Sequence, residues 1–151
     1  MNDQERATAI VHRMLDNDNF SRWLGLEVLT VAPGTVALRM TVRDDMLNGF
    51  GYCHGGVTFS LADSALAFAA NSRGRVGVLL QGSMTFPEPV RSGDVLTATV
   101  EEHSLKDRVA VYTITVRKSD DLPVGIFKGT VYLTGKTHDV EPPQSPESPS
   151  A

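Results

Sequence analysis

Hydrophobic and polar positions along the chain fall into three kinds of pattern. From Asp3 to about Leu15, apolar residues at Ala7, Ile10, Val11, Met14 and Leu15 keep helical spacing, with Asp3 as the expected N-cap. A second short helical turn is expected from Asp18 to Leu24, ended by Gly25. LEVLTVAPGTVALRMTV then alternates on both sides of Ala32-Pro33-Gly34, which predicts two strands and a turn. A loop rich in Gly and Asn runs from Arg43 to Gly56. VTFSLADSALAFAANS follows, without Pro or Gly and apolar on nearly every side, so it predicts a buried helix. Val76–Phe86, Asp94–His103, Val109–Lys118 and Pro123–Leu133 read as strands separated by polar breaks. One buried helix among consecutive strands predicts an α+β architecture, with an antiparallel sheet of five to six strands wrapped around a central helix.

At 151 residues, the chain suits one domain, expected over residues 1–140. The last eleven residues, EPPQSPESPSA, hold four of the eight prolines and no large apolar side chain, so residues 141–151 are expected to be disordered. No apolar run nears the roughly 20 residues needed to span a bilayer, and the N-terminus opens with charge. The expected location is the cytoplasm, away from membranes. The single Cys53 allows no internal disulfide, and the four His lack metal-ligand spacing, so no metal is expected. A net charge of −4 argues against nucleic-acid binding while leaving room for one anionic ligand held by local cations.

The central helix carries the informative anomaly. Taking Ser60 as zero and about 100° per residue, Asp63, Ser64 and Asn71 project near −60°, 40° and 20°, so the polar residues share one stripe. A carboxylate there is either structural, bonded to a neighbouring group, or faces a cavity and performs chemistry. The preceding NGFGYCHGG supplies four glycines in nine positions and runs into the helix. Free N–H groups near Gly55 and Gly56 at a helix N-terminus can hold a developing oxyanion or a phosphate. Alternatively, the glycines serve packing alone. His54 is an orienting group, a general acid or a cap. A Cys53 nucleophile is disfavoured, because adjacent loop side chains diverge and no third orienting group is evident.

The stretch NGFGYCHGGVTFSLADSALAFAANS, together with PEPVRSGDVLTATV after it, resembles the phenylacetate-pathway thioesterases, a branch of the hotdog superfamily. The resemblance runs from about Asn17 to Leu133 and implies a hotdog fold. It also implies hydrolysis of a phenylacetyl-CoA or hydroxyphenylacetyl-CoA type thioester, with CoA as part of the substrate and no separate cofactor. By resemblance, Asp63 is the catalytic carboxylate and Gly55 with its neighbours, Gly56 among them, forms the oxyanion hole. His54, Asn48 and Asn17 support the site, and the chains form homodimers that pair into homotetramers. Further expected substrate contacts are Ser64 and Gln81, with Phe59, Leu79 and Ser83 shaping the pocket and Arg91, Lys106 and Arg108 near the CoA phosphates. Asp63 either activates water or attacks directly. Two rivals remain at this stage: a hotdog 3-hydroxyacyl thioester dehydratase, and a non-catalytic acyl-CoA binding protein. An isolated helix cannot bring Gly55 and Asp63 to one carbonyl, because eight residues at 1.5 Å place them about 12 Å apart along the axis. A shared site between two antiparallel helices is therefore expected.

Overall fold

Most strands of the sheet alternate because one face packs on a helix and the other meets solvent. In the computed structural model, which describes residues 1–141, the order of elements is α1 (Asp3–Asp16), α2 (Asn19–Leu24), β1 (Glu27–Ala32), β2 (Thr35–Thr41), α3 (Gly55–Asn71), β3 (Arg75–Thr85), β4 (Val95–Lys106), β5 (Val109–Lys118) and β6 (Leu122–Thr137). The expected tail lies, apart from Glu141, outside the described residues. Six antiparallel strands form one sheet in the order β1-β2-β4-β5-β6-β3. This is the hotdog arrangement, with α3 laid against the inner face. No helix among the described residues is long and apolar enough to cross a membrane.

The inner face is built from Val36, Leu38 and Met40 on β2, Leu96 and Ala98 on β4, Tyr112, Ile114 and Val116 on β5, and Phe127 and Val131 on β6, all buried. Against them α3 buries Leu61, Leu66 and Phe68, each side chain contributing about 1.5–3 kcal/mol relative to exposure. Close approach needs a gap in the sheet, and Gly129 of β6 provides it: a Cβ there would run into Leu66 of α3. The β1–β2 turn uses Gly34 at φ 84°, and its N–H donates to Ser72 Oγ at 2.8 Å, tying the hairpin to the end of α3.

Two local expectations change. The N-cap of α1 is Asn2, one residue before Asp3: its side chain accepts from the Glu5 N–H at 2.8 Å, and Glu5 reaches back to the Asn2 N–H at 2.9 Å. This reciprocal pair satisfies two free donors and outcompetes the single bond available from Asp3. The strands β4 and β6 also run beyond His103 and Leu133. Their polar ends are held by pairing with β5 and β3, down to Lys106↔Val109 and Arg75↔Thr137. At α2, Asp18 is the cap and Gly25 ends the helix in the left-handed region at φ 80°.

Candidate functional site

The site begins with the turn that launches α3. Asn48 Oδ1 accepts from the N–H groups of Phe50 and Tyr52 at 2.9 and 3.2 Å, which folds the glycine-rich loop back on itself. The loop is then fastened by His54 N–H to Met46 O and Cys53 N–H to Val90 O. His54 caps the helix: its Nδ1 accepts from the Gly56 N–H at 2.8 Å, so a neutral ring carries its proton on Nε2, in an exposed side chain. The Val57 N–H is taken by the His54 carbonyl. Gly55 is left as the first-turn N–H with no partner among the described residues, at the positive end of a 17-residue helix. Beside it lies a cleft of about 310 Å³ lined by Tyr52, Gly55, Thr58, Phe86, Val90 and Val124. The Phe86 ring stands so close that a Cβ on Gly55 would meet it at 3.4 Å. Phe86, Val90 and Val124 were not singled out in the sequence, where they read as ordinary strand and loop residues.

The polar stripe of α3 does not open together onto one cavity, contrary to the expectation from its spacing. Ser60 Oγ donates to its own helix at Gly56 O, 2.6 Å away. Ser64 is buried and bonded to Ser21 Oγ at 2.7 Å. Asn71 is buried at the far end, where Oδ1 accepts from the Gly77 N–H at 3.0 Å and meets His138 Nε2 at 2.7 Å. Asp63 alone of the four has no hydrogen-bond partner among the described residues, and it is only half-buried. Burial pushes its carboxyl above the usual carboxylate range, and the nearby charge of Asp18 adds to the rise. A carboxylate left unpaired at this desolvation cost is available to a reacting group.

The other candidates scatter. Asn17 is exposed at the end of α1, its Nδ2 donating to Arg13 O at 2.9 Å. Gln81 stands exposed on β3 with Leu79 and Ser83, while Phe59 turns inward to an edge-on contact with Phe127, ring centres 5.1 Å apart. Arg91 lies over the Tyr52 ring at 4.8 Å, at the mouth of the cleft by Gly55. Lys106 and Arg108 sit at the β4–β5 turn, where Arg75, just after the end of α3, donates to Asp107 O. The cations expected to hold CoA phosphates thus fall at opposite ends of α3 within one chain.

Residues 50–124 match the family model described as "Thioesterase superfamily". The chain is 36% identical over 126 residues to the Escherichia coli (strain K12) acyl-coenzyme A thioesterase PaaI, covering 83% of this chain and 90% of that protein. The structure of the E. coli PaaI protein from the phenylacetic acid degradation operon superposes with a TM-score of 0.87 at 34% identity, over 90% of this chain and 99% of that one. A hypothetical thioesterase protein of Streptococcus pneumoniae TIGR4 solved with coenzyme A superposes with a TM-score of 0.71 at 27% identity, over 74% of this chain and 87% of that one.

Proposed function

The chain belongs to the thioesterase superfamily and is an acyl-CoA thioesterase of the PaaI type, and we propose that it hydrolyses phenylacetyl-CoA or ring-hydroxylated phenylacetyl-CoA thioesters at a site shared between two copies. The observation that carries this reading is the division of labour along α3. The Gly55 N–H and the Asp63 carboxylate, each without a partner among the described residues, lie eight residues apart on one helix, about 12 Å along its axis. An oxyanion sits about 3 Å from its donor, and the reacting carboxylate must be as near to the same carbonyl. A second α3 running antiparallel across a two-fold axis brings Asp63 of one copy beside Gly55 of the other, making two equivalent sites. The bare β3 edge supplies a surface for that pairing, with Val78 and Leu80 49% and 61% exposed.

In this site the thioester carbonyl accepts the Gly55 N–H and lies in the cleft with Phe86 and Val90 around the acyl group. Asp63 takes a proton from water as the oxygen attacks the carbonyl carbon, or attacks that carbon itself to give a mixed anhydride that water then opens. In both routes the C–S bond breaks, CoA leaves as its thiolate and regains a proton, and the free acid is released. The aromatic lining favours an aryl acyl group, and the name of the E. coli relative's operon points the same way. Pairing also brings the Lys106–Arg108 turn of one copy toward the Arg91 end of the other, where a CoA phosphate would find both. The cytoplasm is the compartment where CoA thioesters of this kind would be met.

Two measurements test the reading. CoA release from phenylacetyl-, hydroxyphenylacetyl-, benzoyl- and straight-chain acyl-CoAs should give the highest kcat/KM for the arylacetyl substrates; a preference for long straight chains would remove that assignment. Mixing Asp63→Asn chains with chains disabled by Gly55→Pro, which lacks the N–H, should restore about one working site per mixed dimer. No recovery in a mixture proven to contain heterodimers would mean that each site lies within one chain.

A further inference from the structure

The cleft beside Gly55 is largely apolar, with Phe86, Val90 and Val124 in its wall, and it contains one buried hydroxyl that the proposed reaction does not use. Thr58 is 2% exposed and belongs to α3, where a threonine commonly turns its hydroxyl back onto the carbonyl four residues earlier. Here that carbonyl, His54 O, already takes the Val57 N–H at 2.9 Å and the Cys53 thiol at 3.6 Å. The Thr58 methyl is turned to the sheet, since a Cβ on Gly125 of β6 would meet Thr58 Cγ2 at 3.1 Å. Its hydroxyl is left beside the Cys53 thiol, a weak partner, with no oxygen or nitrogen partner among the described residues. No side-chain oxygen of those residues is both sealed from solvent and unpartnered. The hydroxyl therefore keeps an opening, and the cleft that Thr58 lines provides it.

Depth and distance decide what this hydroxyl can meet. A cleft of about 310 Å³ takes an acyl group but not coenzyme A with it. The acyl end therefore points inward, and the rest leaves by the rim, where Arg91 lies over Tyr52. Thr58 is three residues beyond Gly55, on the same side of the helix and about 4.5 Å further along its axis. A carbonyl oxygen held by the Gly55 N–H sits about 3 Å out in the opposite direction. Because a helical side chain leans toward the helix start, the Thr58 hydroxyl lies roughly 6–7 Å from that oxygen. This is too far for a part in the oxyanion hole. It matches an arylacetyl group, whose ring substituents lie roughly 6 Å beyond the carbonyl at about 1.5 Å per bond.

The geometry points to Thr58 as a specificity-determining residue: its hydroxyl hydrogen-bonds a polar substituent on the ring of the acyl group, so the cleft prefers a ring-hydroxylated arylacetyl thioester to the unsubstituted one. The inference rests on the reading of Gly55 as donor to the carbonyl and of this cleft as the acyl pocket. A ring hydroxyl gives Thr58 the partner that the fold withholds, whereas a bare ring covers the hydroxyl and leaves it unpaired. Tyr52 and Glu88 do not compete for this part, because both are exposed at the rim.

The test compares kcat/KM for 3-hydroxyphenylacetyl-, 4-hydroxyphenylacetyl- and phenylacetyl-CoA in the wild-type protein and in Thr58→Val, which keeps the side-chain shape and replaces the hydroxyl by a methyl group. The wild-type protein should favour at least one hydroxylated substrate about tenfold, as one neutral hydrogen bond gives, and Thr58→Val should abolish that preference. Thr58→Ser keeps the hydroxyl and should keep most of the preference. If thermal melting shows that the valine variant does not fold, Thr58→Ala makes the same comparison. A wild-type protein without the preference, or a folded Thr58→Val or Thr58→Ala that retains it, would overturn the inference. Failure of the underlying reading looks different. Straight-chain thioesters hydrolysed far better than all three arylacetyl ones would remove both readings, whereas rapid and equal hydrolysis of the three would remove only the role of Thr58.

Discussion

The sheet has two edges, and the chain treats them differently. At one end β1 is six residues long, with a bulge between Val28 and Thr30. Its edge is met from outside by Gln4 of α1, which donates its side-chain N–H to Val31 O at 2.7 Å. At the other end β3 is eleven residues long and offers Val78, Leu79 and Leu80 to solvent in the single chain. Bulges alone do not mark the contrast, because β3 has two of its own against β6. What differs is length and the apolar side chains offered to solvent, since the Asn71 side chain also bonds the β3 backbone at Gly77. A short, bulged edge resists further strands, whereas a long apolar one invites them. The edge that invites pairing directly follows α3, the helix that carries Gly55 and Asp63. On the proposed reading, assembly and chemistry are coupled through neighbouring elements.

Three experiments bear on this contrast, beginning with the largest effect. Asp63→Asn should lower kcat/KM at least about a hundredfold while the protein stays associated, showing that chemistry can be removed without disturbing the β3 edge. The same variant should melt higher at neutral pH. Burial and Asp18 hold the Asp63 carboxyl above its ordinary range, so ionising it costs stability. That cost is fully present above the raised value and disappears as the pH falls below the value of the unfolded chain, so the gain in Tm should shrink toward acid. A variant that melts lower at pH 7 would contradict the direction of the shift.

Next, Leu80→Lys on β3 should shift the protein toward monomer in light scattering and lower activity at least about tenfold at dilute concentration, because a charge on an edge strand opposes pairing. Leu29→Lys, at a comparably exposed apolar position on β1, should leave both within experimental scatter. Equal responses at the two edges would erase the distinction drawn between them. The smallest effect belongs to the helix turn between the edges. A Cβ at Gly56 would come within 2.9 Å of His54 Nδ1, so Gly56→Ala should loosen the His54 cap and cost about 1 kcal/mol of stability, measured by denaturant unfolding. Gly55→Ala keeps its N–H and meets only the edge of Phe86, so it should alter substrate KM more than stability.

Much of this was legible along the chain. Val57–Ser72 as a buried helix differs from Gly55–Asn71 only at its ends, and β5 has the expected bounds of Val109 and Lys118. Periodicity reports which way a side chain points, and burial of that face follows from it. The family resemblance, which named Asp63 and Gly55, rests on a local run of residues and therefore also needs no coordinates. What periodicity does not report is the group each side chain meets. Ser64 and Asn71 share a stripe with Asp63, yet their partners, Ser21 and His138, lie 43 and 67 residues away in sequence. Asp18 reads as a helix cap, and nothing local signals that its charge lies near Asp63. The position of β3 at the far edge, beyond β6, was equally hidden, since it depends on where α3 lets the chain return to the sheet. Local sequence determined the elements, their buried faces and the candidate groups at the start and middle of α3. Tertiary structure alone decided which polar residues were consumed as structural bonds and which strands became edges, because those outcomes depend on contacts between residues far apart in sequence that only folding brings together.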